Sequence, residues 1–420
     1  MKIKFSQAMS SFARFQTLRS LRNRNFRLLL IGALLSNAGD FMQNVAQAWL
    51  VWHLTKSAVL LGLVGFFDSM PRLLLGVIGG VLTDRFERRR LVMLTQVLGM
   101  VQASVYWLVV YFGVIRYWHV LILACFLGVV NTINQTARQS LVNDLVPKED
   151  LANAIALHSS VFNISRILGP SIGGIVIALI DVEGCFLVNA LSFLALIFTL
   201  YQMELPPWRS KTKRSAVWTE VKEGFNYLRS NSQLFSTVAL SYVVAMIGAP
   251  YATFVPVFAT NVLHVGATGF GLLAAAPGIG ATIAGLWLAS LGDYRPSFFW
   301  MCVFVLAYGI FLGLFAWSHY FIFSLGLLVS VGFCFIAFRA CLNTALQSVT
   351  PPHLLGRVLS FFFMDRGLWS IGGLLLGSSA SVVGINWTVG AAATICFMAA
   401  ATVLLRFRHA PDGRIQSTQN

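Results

Sequence analysis

The sequence predicts an all-α membrane protein: twelve transmembrane helices in two pseudo-symmetric six-helix bundles. Three observations carry this. Only 11% of the 420 residues are charged and 57% are hydrophobic, whereas a soluble domain carries roughly 25% charged residues. The chain divides into apolar runs long enough to cross a hydrocarbon core, which takes about 20 residues per helix. A tight basic turn, Gly79 to Arg90, has a weaker relative at Gly285 to Arg295, about half a chain further on.

Residues 1–26 form a basic segment expected to lie in the cytoplasm. The apolar run that follows is too long for a signal peptide's core and reads as a retained first span. The twelve runs cover approximately 27–53, 58–83, 91–113, 117–142, 152–180, 185–204, 233–260, 266–291, 297–317, 320–346, 356–382 and 386–407. The organisation is therefore a first bundle over 27–204, a linker over 205–232, a second bundle over 233–407 and a cytoplasmic tail over 408–420.

Net charge is +15. In a soluble protein this would raise nucleic acid as a partner. Here the basic residues fall between apolar runs, so they point to membrane orientation and not to nucleic acid. One face of the twelve-span map holds 23 of the 30 Lys and Arg; the other holds only Lys56 and Arg116. The positive-inside rule makes the rich face cytoplasmic, with both termini there. The six cysteines, Cys125, Cys185, Cys302, Cys334, Cys341 and Cys396, include no Cys-x-x-Cys pair and predict neither disulfides nor a metal site.

The linker opens on Pro206-Pro207. Trp218, Val221, Phe225 and Leu228 then recur at helical spacing among Lys222, Glu223 and Arg229, which predicts an interfacial amphipathic helix between the halves. A shift of 204 residues superposes Pro147 on Pro351, Gly169 on Gly373 and Gly173 on Gly377. Two halves related by an axis along the membrane normal place a binding site between them near the midplane.

Charges inside the spans mark that site, because a charge facing lipid at a helix centre costs about 3 kcal/mol or more. They are Asp40, Asp68, Arg72, Arg138, Arg166, Arg339, Asp365 and Arg366. None falls in spans 3, 6, 9 or 12, so the other eight are expected to line a central cavity. Asn37, Asp40, Asn44 and Gln47 form one stripe of span 1, and Asn131, Gln135 and Arg138 one stripe of span 4. These stripes serve either substrate or interhelical hydrogen bonding. Asp68 and Arg72, four apart, either neutralise each other or act on cargo. Asp365 and Arg366 are adjacent, point in different directions and need partners on other helices. Asp40, Asp68 and Asp365 are the candidate proton carriers. Asn37, Asp40, Asn44, Gln47, Gln135, Arg166, Asp365 and Arg366 are the candidate substrate contacts. Gly169-Pro170-Ser171-Ile172-Gly173-Gly174 predicts a bendable, closely packed span 5.

Gly80-x-x-x-Asp84-Arg85-x-x-Arg88-Arg89 resembles the loop 2–3 signature of the major facilitator superfamily. Arg166-x-x-Gly169-Pro170-x-x-Gly173-Gly174 is similar to the span-5 motif of its antiporter branches. Leu21 to Arg27, Ala46 to Leu50 and Leu145-Val146-Pro147 resemble the branch holding macrolide-type drug exporters and the enterobactin exporter. The resemblance implies a rocker-switch carrier in a bacterial inner membrane, driven by protons without a bound cofactor and exporting a small molecule. It also implies that Asp84, Arg85, Arg88 and Arg89, with Gly80, form a latch between the halves when the cavity faces outward. The second-half copy keeps Asp293 and Arg295 but lacks the Arg-Arg pair.

Three readings stand at this point. The first is a proton-coupled exporter of a siderophore or amphiphilic drug, expected as a monomer in the lipid bilayer. The second is uptake of a siderophore or other solute, or lysophospholipid flipping, on the same fold. The third is a membrane enzyme or a receptor scaffold; against the enzyme, the chain has no Gly-x-x-x-x-Gly-Lys loop, no His-x-x-x-His pair and no nucleophile constellation.

Overall fold

A computed structural model describes residues 16–204, 217–291, 298–351 and 354–407. Helix α1 (Arg24–Thr55) begins at Asn23, whose side chain accepts from the Phe26 amide at 3.1 Å. Ser, Thr, Asn and Asp favour this position because they satisfy an otherwise orphaned amide. The helix ends on Lys56 in the left-handed conformation, φ 49°. Ser57 then caps α2 (Ala58–Arg85), so the reversal is short and forces the two helices to be neighbours. Helices α3 (Arg88–Tyr111) and α4 (Tyr117–Leu145) follow.

Spans 5 and 6 form one kinked element, α5 (Leu151–Tyr201). The sequence predicts a loop over 181–184, but the reversal is tighter: only Ile180 and Asp181 leave helical geometry. Asp181 takes φ 62° and its Oδ1 accepts from the Val182 amide at 2.6 Å, which supports the left-handed residue locally. The arms return side by side, with Cys185 Sγ donating to Gly173 O at 3.5 Å.

The linker helix is α6 (Val217–Ser230). Its described contacts lie on the second half. Glu223 pairs with Arg357, Tyr227 Oη donates to Val349 O at 2.9 Å, and Phe225 packs against Phe361 and Phe235. Of the predicted apolar stripe Leu228 is buried, while the Trp218 and Val221 side chains lie outside the described residues.

Helix α7 (Ser232–Val243) runs on through π and 3-10 turns to Val262, so the uniform span predicted over 233–260 is broken. Pro250 and Pro256 remove two ladder donors there, and the backbone rearranges around them. Helices α8 (Ala267–Ser290), α9 (Phe298–Ala316), α10 (Phe321–Val349), α11 (Leu355–Val383) and α12 (Ile385–Arg406) complete the chain. Among the described residues eight helical stretches are long and apolar enough to cross a membrane, the two arms of α5 counted as one. Helices α1, α2 and α11 are as long, at 32, 28 and 29 residues.

The helices form two bundles, α1–α5 and α7–α12. They meet mainly along α2 with α11 and along α5 with α8. Both seams rest on glycine. A methyl group placed on Gly377 would meet Ala58 O at 2.7 Å, and one on Gly174 would meet Ala267 O at 2.7 Å. Ala58 and Ala267 are the first residues of α2 and α8. One turn further, Gly62 abuts Gly373 O and Gly271 abuts Pro170 O. The two crossings are therefore copies of each other, and their α5 and α11 residues stand 203 positions apart. This corrects the 204-residue register read from the sequence. Gly169 and Gly173 pack against Ala38, Phe41 and Met42 of α1, inside their own bundle, while Gly373 and Gly377 face the other bundle. The counterpart of Gly169 is Gly372, which abuts Met246 and Pro250 of the α7 segment.

Candidate functional site

Every hydrogen bond, ring stack and glycine contact that joins the bundles among the described residues lies between mid-helix and the end bearing the α1–α2 turn. Trp52 Nε1 donates to Thr260 Oγ1 at 2.7 Å, and Trp49 stacks on Phe270 with centroids 5.3 Å apart. With the two glycine crossings these contacts close that end. Toward the opposite end, which carries the 84–90 turn, no contact of these kinds joins the bundles among the described residues, and Ile155 and Phe162 of α5, Leu74 of α2 and Met364 of α11 are exposed. The result is a cleft between the bundles, closed at one end and open at the basic end.

The polar stripe of α1 divides in space. Asn37 Oδ1 accepts from Arg138 Nη1 at 2.7 Å, tying α1 to α4 with both residues buried. Asp40 has Arg138 and Asp68 within electrostatic range but no ion-pair contact, and its Oδ1 is buried without a hydrogen-bond partner among the described residues. Asn44 is exposed and Gln47 is buried at 9% exposure, so only Asn44 of this pair has an open face. Gln135 is exposed, one turn from Arg138.

A second polar face of α1 was not read from the sequence. Ser36 Oγ donates to Gln96 Oε1 at 2.9 Å. Gln43 Nε2 donates to Gln102 Oε1 at 3.0 Å and Gln43 Oε1 accepts from Asn189 Nδ2 at 2.9 Å. This buried chain holds α1, α3 and the second arm of α5 together. Its signal was available: Ser36 and Gln43 are seven apart, two turns on one face. His158 of α5 was also passed over. It lies within electrostatic range of Arg138, and its Nε2 is buried without a partner among the described residues.

Asp68 Oδ2 pairs with Arg72 Nη2 at 2.9 Å, the same-helix neutralisation that their spacing allows. Asp365 finds its partner on another helix, as its position demands: it is fully buried and paired with Arg339 of α10. The guanidinium of Arg339 sits 4.7 Å from the Phe362 ring centroid and 5.7 Å from that of Phe335. Full burial places Asp365 within the second bundle and away from the open cleft. The side chain of Arg366 lies outside the described residues.

Arg166 is half-buried at mid-helix on α5. Its backbone carbonyl lies near Gly278 of α8, whose added methyl would sit 3.4 Å from it. Tyr251, in the second bundle, is within electrostatic range. Among the described residues no carboxylate stands within ion-pair distance of Arg166.

At the basic end the expected latch residues engage their own bundle. Arg88 Nη1 contacts Asp144 Oδ1 at 2.5 Å and Ser140 O at 3.2 Å. Arg89 Nη2 donates to Tyr201 O at 3.0 Å, and Arg90 pairs with Glu87 at 2.6 Å. Arg85 is exposed. The side chain of Asp84, the surroundings of Gly80 and residues 292–295 of the second copy, Asp293 and Arg295 among them, lie outside the described residues.

The arrangement can hold a small molecule between the two bundles. Comparison with known proteins points the same way. The model of the transmembrane secretion effector family matches residues 15–418. The staphyloferrin A transporter of Staphylococcus aureus is 25% identical over 365 residues, 85% of this chain and 90% of the relative. Macrolide efflux protein A of Streptococcus pyogenes is 23% identical over 352 residues, 81% of this chain and 86% of the relative. Among solved structures, a bacterial homologue of the human lysosomal transporter Spinster, crystallised inward-facing and unoccupied, superposes with a TM-score of 0.72 at 14% identity. That superposition covers 93% of this chain and 99% of the other, and carries the fold alone.

Proposed function

Because this chain belongs to the transmembrane secretion effector family of major facilitator transporters, and is a transporter and not an enzyme, we propose that it exports a small molecule across a bacterial inner membrane in exchange for protons. The cargo is a siderophore or an amphiphilic drug, and the working unit is a monomer. With the basic face in the cytoplasm, both termini lie inside and the cleft described above is inward-open. Cargo enters it from the cytoplasm, and the bundles rock about it to release cargo outside.

Asp40 is the observation that supports proton coupling. Asp68 and Asp365 each have an arginine in direct contact, whereas Asp40 has none. A half-buried acid with no arginine in contact is the intramembrane carboxylate freest to take up a proton. Protonation of Asp40 would release Arg138 from its field and favour one facing state; deprotonation would favour the other.

The test compares small molecules secreted by deletion and complemented strains, grown with scarce and ample iron. The expected result is a metabolite retained in the deletion strain, secreted on complementation, and retained again with Asp40→Asn or after a protonophore. Secretion by Asp40→Asn at the wild-type rate across an imposed pH gradient would remove Asp40 from the mechanism. Retention of nothing would remove export.

A further inference from the structure

Among the described intramembrane charges one is left without a counter-charge. Asp68 lies against Arg72, Asp365 against Arg339, and Asp40 within range of Arg138. Arg166 has no carboxylate within ion-pair distance among the described residues, and Tyr251 of the other bundle lies within its electrostatic range. A guanidinium held in a membrane interior without an anion is costly. It is retained there only if something compensates it for part of the cycle.

Its position says what that something meets. Ser165 Oγ donates to Leu34 O at 3.1 Å, and Gly169 abuts Ala38 and Phe41, so Arg166 stands level with the turn of α1 that leads into Asp40. Pro170, one turn beyond, forms the α5–α8 crossing with Gly271. Arg166 therefore lies about 6 Å short of the closed end, at the blind end of the cleft. It is contributed by one bundle and faced by Tyr251 of the other. A cargo entering from the open end reaches Arg166 last.

We propose that Arg166 is the recognition point for an anionic cargo, specifically a carboxylate-bearing small molecule. This rests on the exporter reading above and narrows its cargo. A guanidinium offers two parallel N–H donors in a fixed fork that matches the two oxygens of a carboxylate, and the Tyr251 hydroxyl adds a donor from the opposite bundle. Binding there compensates the arginine, and the anion then bridges the two bundles at the point where they must separate. A cationic amphiphile meets repulsion at the same place.

The test uses the purified full-length protein in lipid nanodiscs, with thermal unfolding as readout. The probes are succinate, tricarballylate (a plain tricarboxylate), their uncharged amides and inorganic phosphate. Saturable stabilisation by a carboxylate and none by its amide is expected. Arg166→Gln should bind the carboxylate about 10- to 100-fold more weakly, the loss of one charge-assisted bidentate contact, and Arg166→Lys should fall between. A normal unfolding transition for Arg166→Lys separates lost binding from lost fold. No stabilisation by either carboxylate, or equal affinity in Arg166→Gln, overturns the inference, as does phosphate binding alone. The secretion comparison keeps the two readings apart. A retained metabolite that is neutral or cationic at neutral pH overturns the anion site and leaves export standing. Arg166-dependent carboxylate binding with no retained metabolite supports the anion site and overturns export.

Discussion

Arg339 and Asp365 show what a charge inside this molecule requires. The acid is fully buried, its arginine stands over the ring of Phe362, and each neutralises the other between α10 and α11. Removing one partner leaves an uncompensated buried charge, which typically costs about 3–5 kcal/mol, whereas replacing both with apolar residues is often near neutral. Arg339→Leu should therefore lower the unfolding temperature sharply, and the double variant Arg339→Leu with Asp365→Leu should recover most of it. Equal destabilisation by the single and double variants would mean that the pair has a role beyond neutralisation. At this scale the sequence was informative wherever cost is intrinsic to the residue. Each intramembrane charge was visible as one, and Asp365 was expected to seek a partner on another helix. Amides were harder. Asn37 and Gln43 are both amides of α1, yet one meets the buried Arg138 and the other a chain of neutral amides. Which neighbour an amide faces depends on packing between helices far apart in sequence, so Gln43 and Ser36 were missed.

Elements in this fold meet through backbone, and the crossings give that a measurable form. At Gly271 an added methyl would stand 2.5 Å from Pro170 O and 2.7 Å from Gly174 Cα. These are backbone atoms that cannot rotate aside as a side chain can. Gly271→Val should keep the bundles from closing at the end bearing the α1–α2 turn while leaving each bundle folded. The check is the labelling rate of Thr253→Cys, near Gly65 at the bundle interface, by a membrane-impermeant thiol reagent, in a background without the native cysteines. Faster labelling with Gly271→Val is expected. Gly285→Ala, with nothing within 4 Å of the added methyl, should leave the rate unchanged. Unchanged labelling in Gly271→Val would show that the crossing tolerates bulk. The repeat itself was legible from Gly and Pro spacing, but its register was not. Glycine occurs at both Gly372 and Gly373, and only the contacts show that Gly372 serves its own bundle while Gly373 faces the other. The reversal at Asp181 escaped for a related reason. A non-glycine residue at positive φ is uncommon and has no reliable sequence marker.

At the scale of the whole molecule, the basic turn at 84–90 belongs to the end that is open. Arg88 and Arg89 are engaged with Asp144 and with the C-terminal end of α5, all in the first bundle. The latch expected from the sequence would have residues of the turn reach the second bundle when this end closes. Asp84→Arg should therefore slow turnover roughly tenfold or more, which needs only about 1.4 kcal/mol on the barrier, and leave cargo affinity nearly unchanged. A large loss of affinity at normal turnover would contradict that role. The two-bundle fold was readable in the sequence because lipid imposes length and polarity on every span. Which end is closed was not, because both facing states use the same spans and differ only in how two rigid bodies lean. That lean has a mechanical consequence. Both glycine crossings sit near one end of long helices, so they act as the short side of a lever. From Gly271 to Ser290, or from Gly62 to Arg85, the arm is about 30 Å. A tilt of only ~5° at the crossings therefore swings the far end by about 3 Å, so contacts no larger than a methyl group are amplified at the far end of the cleft.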